Sequence, residues 1–144
     1  MVCNHCWETE TKQANKLFHM QCFREASVIY LKLFNAYLNL ERIEEKASAD
    51  ELMLHIDRFI ITANNIIECA RALDSMTQIN DFVALVRESI KALINRKPNM
   101  SEDNLNRLAL RLKTAESLKL ESTTQVISQS YDDSSFAVNS MYQI

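Results

Sequence analysis

Glycine is missing from this chain of 144 residues, and proline occurs once, at Pro98. Average usage of ~7% would supply about ten glycines, the residues that hairpin turns and left-handed loop positions draw on. Their absence argues against a sheet protein. It argues equally against Gly-rich phosphate loops, nucleophile elbows and dinucleotide fingerprints, whose geometry depends on glycine. Charge of one sign is lacking too: a net charge of −3 gives no electrostatic footprint for a phosphate backbone or an anionic bilayer, so neither nucleic acid nor membrane is expected as a partner. Long apolar runs are absent. The most apolar stretch, residues 26–40, is interrupted by Asn35 and Asn39 and falls short of the ~18–20 residues of a bilayer span. Residues 1–10 show no basic segment followed by an apolar one, so no secretory signal is read and the cytoplasm is the expected address.

What remains is ordinary globular material, 47% apolar and 24% charged, enough for one core and one domain. The division expected is a helical domain over residues 1–121 and a polar tail over 122–144. That tail is rich in Ser, Thr and Gln yet carries Phe136, Met141 and Tyr142, which suit a segment that docks.

Five helices follow from the 3.6-residue period. The first covers 6–19, with Trp7, Thr11, Ala14, Leu17 and Phe18 facing inward. The second covers 22–46, with Phe23, Ala26, Tyr30, Leu33, Tyr37 and Leu40 on one face and Val28, Leu31, Phe34 and Leu38 on another. A short connection makes these two an antiparallel hairpin. Ser48 and Glu51 form a capping-box candidate for a third helix over 50–76. A fourth opens at Asp81 with Phe82, Leu85, Val86, Ile90, Leu93 and Ile94 inward, and stops at Pro98, aided by Arg96 and Lys97 at its end, giving a second hairpin. Ser101 caps a fifth with Leu105, Leu108, Ala109, Leu112 and Ala115 inward, and with Arg107, Arg111 and Lys113 expected in water.

Ala14, Leu17, Phe23, Ala26, Tyr30 and Leu33 resemble the tetratricopeptide pattern of small and aromatic positions across a helical hairpin. One repeat matches. The turn lacks the usual glycine, the second helix is long, and the two hairpins start about 59 residues apart where a tandem array uses ~34. A fainter likeness, over residues 7–99, is to small bacterial proteins with two such units. The resemblance implies an all-α, right-handed stack of two antiparallel hairpins plus a capping helix; plain up-and-down packing is the alternative.

Chemistry finds few places. Cys3, Cys6, His19 and Cys22 have spacing that suggests zinc, but an unbroken helix between Cys6 and His19 separates the two pairs by roughly 20 Å. The competing reading is reduced cysteines, with Cys22 and Cys69 buried. A Cys3–Cys6 redox pair lacks the βαβ setting that supports such motifs. Glu44–Glu45 and Asp132–Asp133 are sequence neighbours and diverge on a helix, so they form no facing acid and base. No catalytic residues and no cofactor are expected.

The polar stripes are more informative. Glu8, Lys12, Asn15 and His19 line one side of the first helix, and Asn64, Glu68 and Arg71 repeat the spacing on the third. In a tetratricopeptide-like stack such stripes face one groove, and the resemblance implies that Asn15 bonds ligand backbone. Two solvent faces are the competing reading. The extra apolar face Val28, Leu31, Phe34 and Leu38 is either covered by the fifth helix and tail or free for a partner or a second copy. The function expected is a non-enzymatic adaptor or chaperone-like module that binds a peptide, with a homodimer possible. A metal or redox module and a structural subunit are the alternatives.

Overall fold

The computed structural model describes residues 4–40, 42–43, 47–74, 79–95 and 100–118. Cys3, the Arg96–Pro98 stop, Glu44–Glu45 and the tail from 119 onward lie outside them. The fold is all-α, with five helices among the described residues: α1 (Asn4–His19), α2 (Phe23–Ala36), α3 (Ala49–Ala72), α4 (Ile79–Asn95) and α5 (Glu102–Ser117).

Direction alternates along the chain. Phe34 stacks on Phe59 and Tyr37 on His55, so α2 runs against α3. Arg107 reaches Asp50 and Arg111 reaches Asp57, so α5 runs with α3. The long helix α3 is the axis of the molecule. Its residues 55–67 are all buried, since α2, α4 and α5 pack around it and long side chains of α1 close the remaining side. A helix buried on every side has to satisfy its polar side chains internally, which sets up the contacts described below.

Without glycine, two other residues take the left-handed turn positions among the described residues. Gln21 and Asp74 take positive φ, 65° and 54°, just beyond the ends of α1 and α3. At the first, the Gln21 amide donates to the Phe18 carbonyl and the Cys22 amide to the Leu17 carbonyl, at 2.9 and 2.8 Å. These are the paired bonds of a Schellman end, made here without the usual residue.

Ser48 and Ser101 cap α3 and α5 as expected, accepting from the Glu51 and Asn104 amides. Half of the capping box is modified: the Glu51 carboxylate accepts from the Ser48 hydroxyl.

Two expectations are corrected. The second helix stops at Ala36, ten residues before 46, because its end tightens to bonds from Tyr37 to Phe34 and from Leu38 to Asn35. The Asn39 side chain then accepts from the Arg42 amide and starts a new turn, the local competition that asparagine offers a helix. Arg111, expected in water, is fully buried against Asp57. The inward face of α5 is accordingly Leu108, Arg111, Thr114 and Ala115, with Ala109 exposed.

Candidate interaction surface

α2 and α4 lie on the same side of α3 and run parallel, leaving a valley between them. Its upper hollow, 140 Å³, is lined by Ser27 and Leu31 from α2, Phe82 from α4, and Ile66, Cys69, Ala70 and Leu73 from α3 and its end. Its lower hollow, 320 Å³, is lined by Leu38, Asn39 and Leu40 on one wall and Leu85, Glu88, Ser89 and Ala92 on the other. Between them Phe34 meets Phe82 edge-on, with ring centroids 5.3 Å apart.

The apolar face of α2 is thus divided. Phe34 is core, Leu31 is half-buried, and Val28 and Leu38 remain 66% and 36% exposed. Opposite Leu38 stands Leu85, 45% exposed. The fifth helix packs on α3 and α4, and does not bury this face. Large apolar side chains left out on facing walls of one concavity are the signal that scattered surface leucines do not give.

The polar stripes are placed differently. Thr62 accepts from the Trp7 indole and so marks the side of α3 that faces α1. At about 100° per residue, Asn64 is turned ~160° from Thr62, Glu68 ~120° and Arg71 ~180°. The α3 stripe therefore points away from α1, and the two stripes do not share a groove. Glu68 and Arg71 pair with each other at 2.7 Å. Asn64 is buried, and its amide nitrogen has no hydrogen-bond partner. On α1, Glu8 meets Arg58 at 3.4 Å, Asn15 accepts from the Tyr30 hydroxyl, and Lys12 and His19 are exposed.

The side of α3 that does face α1 holds a buried polar cluster that the sequence did not single out. Arg58 stacks its guanidinium over Trp7, 4.8 Å from the ring centroid. Tyr37 and His55 lie alongside, ring to ring at 5.6 Å. Burial pushes the Tyr37 hydroxyl above its usual range, partly opposed by Arg58, and pushes His55 down, helped by the same cation. The only sequence signal was the spacing of His55, Arg58 and Thr62 along one helical side.

No relative fixes the family. Comparisons with protein-family models, curated proteins and solved structures return no match.

The metal reading meets two obstacles. α1 is continuous from Asn4 to His19, which keeps Cys6 and His19 roughly 20 Å apart along its axis. Cys6 is also disulfide-bonded, so it is not the reduced thiol expected; Cys22 and Cys69 are free. No cluster of three metal-ligating side chains occurs among the described residues. No helix among them is long and apolar enough to cross a membrane.

Proposed function

We propose that this chain is a non-enzymatic protein–protein interaction module, adaptor or chaperone-like in character, that takes an apolar segment of a partner into the valley between α2 and α4. One observation carries the reading. Leu38 and Leu85 stand exposed on opposite walls of the 320 Å³ lower hollow, where an inserted side chain would bury both. Complete burial of a leucine-sized group contributes about 1.5–3 kcal/mol, so two or three such contacts supply about 3–9 kcal/mol before the cost of association is subtracted, and capture tighter than roughly millimolar needs further contacts along the valley.

The cytoplasmic setting belongs to the same proposal. A Cys6 disulfide that persists in cells opened under thiol-blocking conditions would overturn that part of it, since such bonds are kept reduced there.

The test is selection of displayed peptides on the full chain, followed by rebinding to Leu38→Asp and Leu85→Asp. Both sites are surface positions, so circular dichroism of the variants should match the parent. Loss of about tenfold or more in affinity on both variants supports the valley. Peptides that bind both variants as well as the parent, or an empty selection, overturn it.

A further inference from the structure

The two hollows repeat at a spacing that selects the shape of their occupant. Leu31 and Leu38 bound them on one wall and Phe82 and Ser89 on the other, seven residues apart in each case. On the α4 wall, which is helical throughout this span, seven residues are two turns, about 10.5 Å along the valley. An α-helix laid in the valley presents side chains i and i+7 on one face at that same distance. An extended strand covers it in three residues, and its side chains three apart point to opposite faces. The spacing therefore favours a helix.

Between the hollows the floor rises. Phe34, midway between Leu31 and Leu38, is buried against Phe82 and joins the two walls. A helix crossing this saddle needs small side chains at i+3 and i+4, and large ones only at i and i+7.

The rims carry opposite charge. Arg24 is exposed one turn before Ser27 on the α2 wall, while Asp81 and Glu88 are exposed about one turn on either side of Leu85 on the α4 wall, Glu88 also holding Arg87 of its own helix at 3.3 Å. Charges on opposite sides of an apolar trough fix which way a two-faced helix rolls, and reject one with the reverse pattern.

We infer that the occupant is an amphipathic helix of a partner protein, with large apolar residues seven positions apart, small residues between them, and acidic and basic flanks set against Arg24 and against Asp81 and Glu88. This rests on the valley being the binding site, as proposed above, and adds the conformation and pattern of what fills it.

The probe is a synthetic amidated helix of about four turns, with leucines seven apart, alanines between, glutamates on one flank and lysines on the other. Three comparison peptides move the second leucine by two positions, place a leucine over the saddle, or put a proline at the centre. Binding is read by fluorescence anisotropy on the full chain and on Leu85→Asp. The expected result is at least about tenfold tighter binding of the probe than of each comparison peptide, and loss of that binding in Leu85→Asp.

Equal binding of all four, still lost in Leu85→Asp, overturns the helical occupant and leaves the valley standing. Binding indifferent to Leu85→Asp overturns both. A parent chain that self-associates on concentration while Leu85→Asp stays monomeric assigns the valley to a second copy, and overturns the partner helix. Displacement of the probe by a synthetic peptide of residues 119–144 assigns it to the chain's own C-terminal segment, with the same consequence.

Discussion

Arg111 of α5 meets Asp57 of α3 through two parallel hydrogen bonds, Nε to Oδ1 at 2.8 Å and Nη2 to Oδ2 at 3.1 Å, and both side chains are wholly removed from solvent. Arg111 also donates to the Arg107 carbonyl one turn back. Desolvating two charges costs several kcal/mol each, and the pair roughly offsets this only while both members are present. It therefore fixes where α5 sits on α3 more than it adds stability.

Arg111→Met should consequently destabilise the protein by about 3–5 kcal/mol, because the buried Asp57 charge loses both of its hydrogen bonds from Arg111. The double variant Asp57→Leu with Arg111→Met should recover most of that loss. Urea midpoints of the three proteins check this. A single variant within about 1 kcal/mol of the parent would show that the pair is not sealed from water.

His55 sets an acid limit on the fold. Burial first, and then the neighbouring Arg58, hold its pKa below the ordinary 6.5, with Glu51 opposing in part. The unfolded chain therefore binds more protons than the native one once the pH drops under about 6.5, and stability falls as pH is lowered towards the depressed native pKa. Above about 6.5 the contribution is complete. His55→Gln should flatten this part of the profile. The measurement is urea unfolding at several pH values between about 7.5 and 5, followed by emission of the single tryptophan, Trp7, which lies under Arg58. A parent and variant with the same slope over that interval would remove His55 as the cause.

Gln21 is held at φ 65°, where its Cβ is crowded and glycine is not. Gln21→Gly should raise stability by about 0.5–1 kcal/mol, the local strain relieved being partly offset by the freer unfolded chain. Thermal melts should move upward by a few degrees. Gln21→Val should move them down, since a β-branched residue is least suited to this region. A glycine variant less stable than the parent would mean that the Gln21 side chain contributes more than its backbone conformation costs.

The helices were legible because local signals carry them. Period 3.6 marked the buried face of α1, and the Ser48 and Ser101 caps marked two starts. On α3 it marked one side of a helix that is buried all round over 55–67, and on α4 it placed Leu85 inward, where the structure leaves it 45% exposed. The early end of α2 was missed because no glycine or proline announces it, and the side chain that does, Asn39, was read only as an interruption of an apolar run. Arg111 was missed because its partner is 54 positions away in sequence, and a periodic pattern shows a charge without showing what pairs with it. The second apolar face of α2 was visible, but not its division. Phe34 is buried because Phe59 and Phe82 converge on it from two other helices, while Leu38 stays 36% exposed and lines the lower hollow opposite Leu85. The polar stripes had the right spacing on each helix. What spacing on single helices cannot supply is their mutual rotation, which turns Asn64, Glu68 and Arg71 away from α1.

Cys69 offers a chemical check on the valley. It lines the floor of the upper hollow, is buried, and has its thiol pushed up to about 12, by burial first and then by the Glu68 carboxylate. At pH 8 only about one molecule in ten thousand then carries the thiolate, which is the reactive form. Cys22 is half-buried at the α1–α2 turn and also raised, by burial and then Glu25, but solvent reaches it. Iodoacetamide at pH 8 should therefore label Cys22 well before Cys69, as peptide mapping by mass spectrometry would show. Cys69 should react at a rate set by opening of the valley floor, rising steeply with mild urea while Cys22 labelling changes little. Equal labelling of the two without denaturant would mean that α2 and α4 do not stay closed over α3, and the hollow would not be a preformed site.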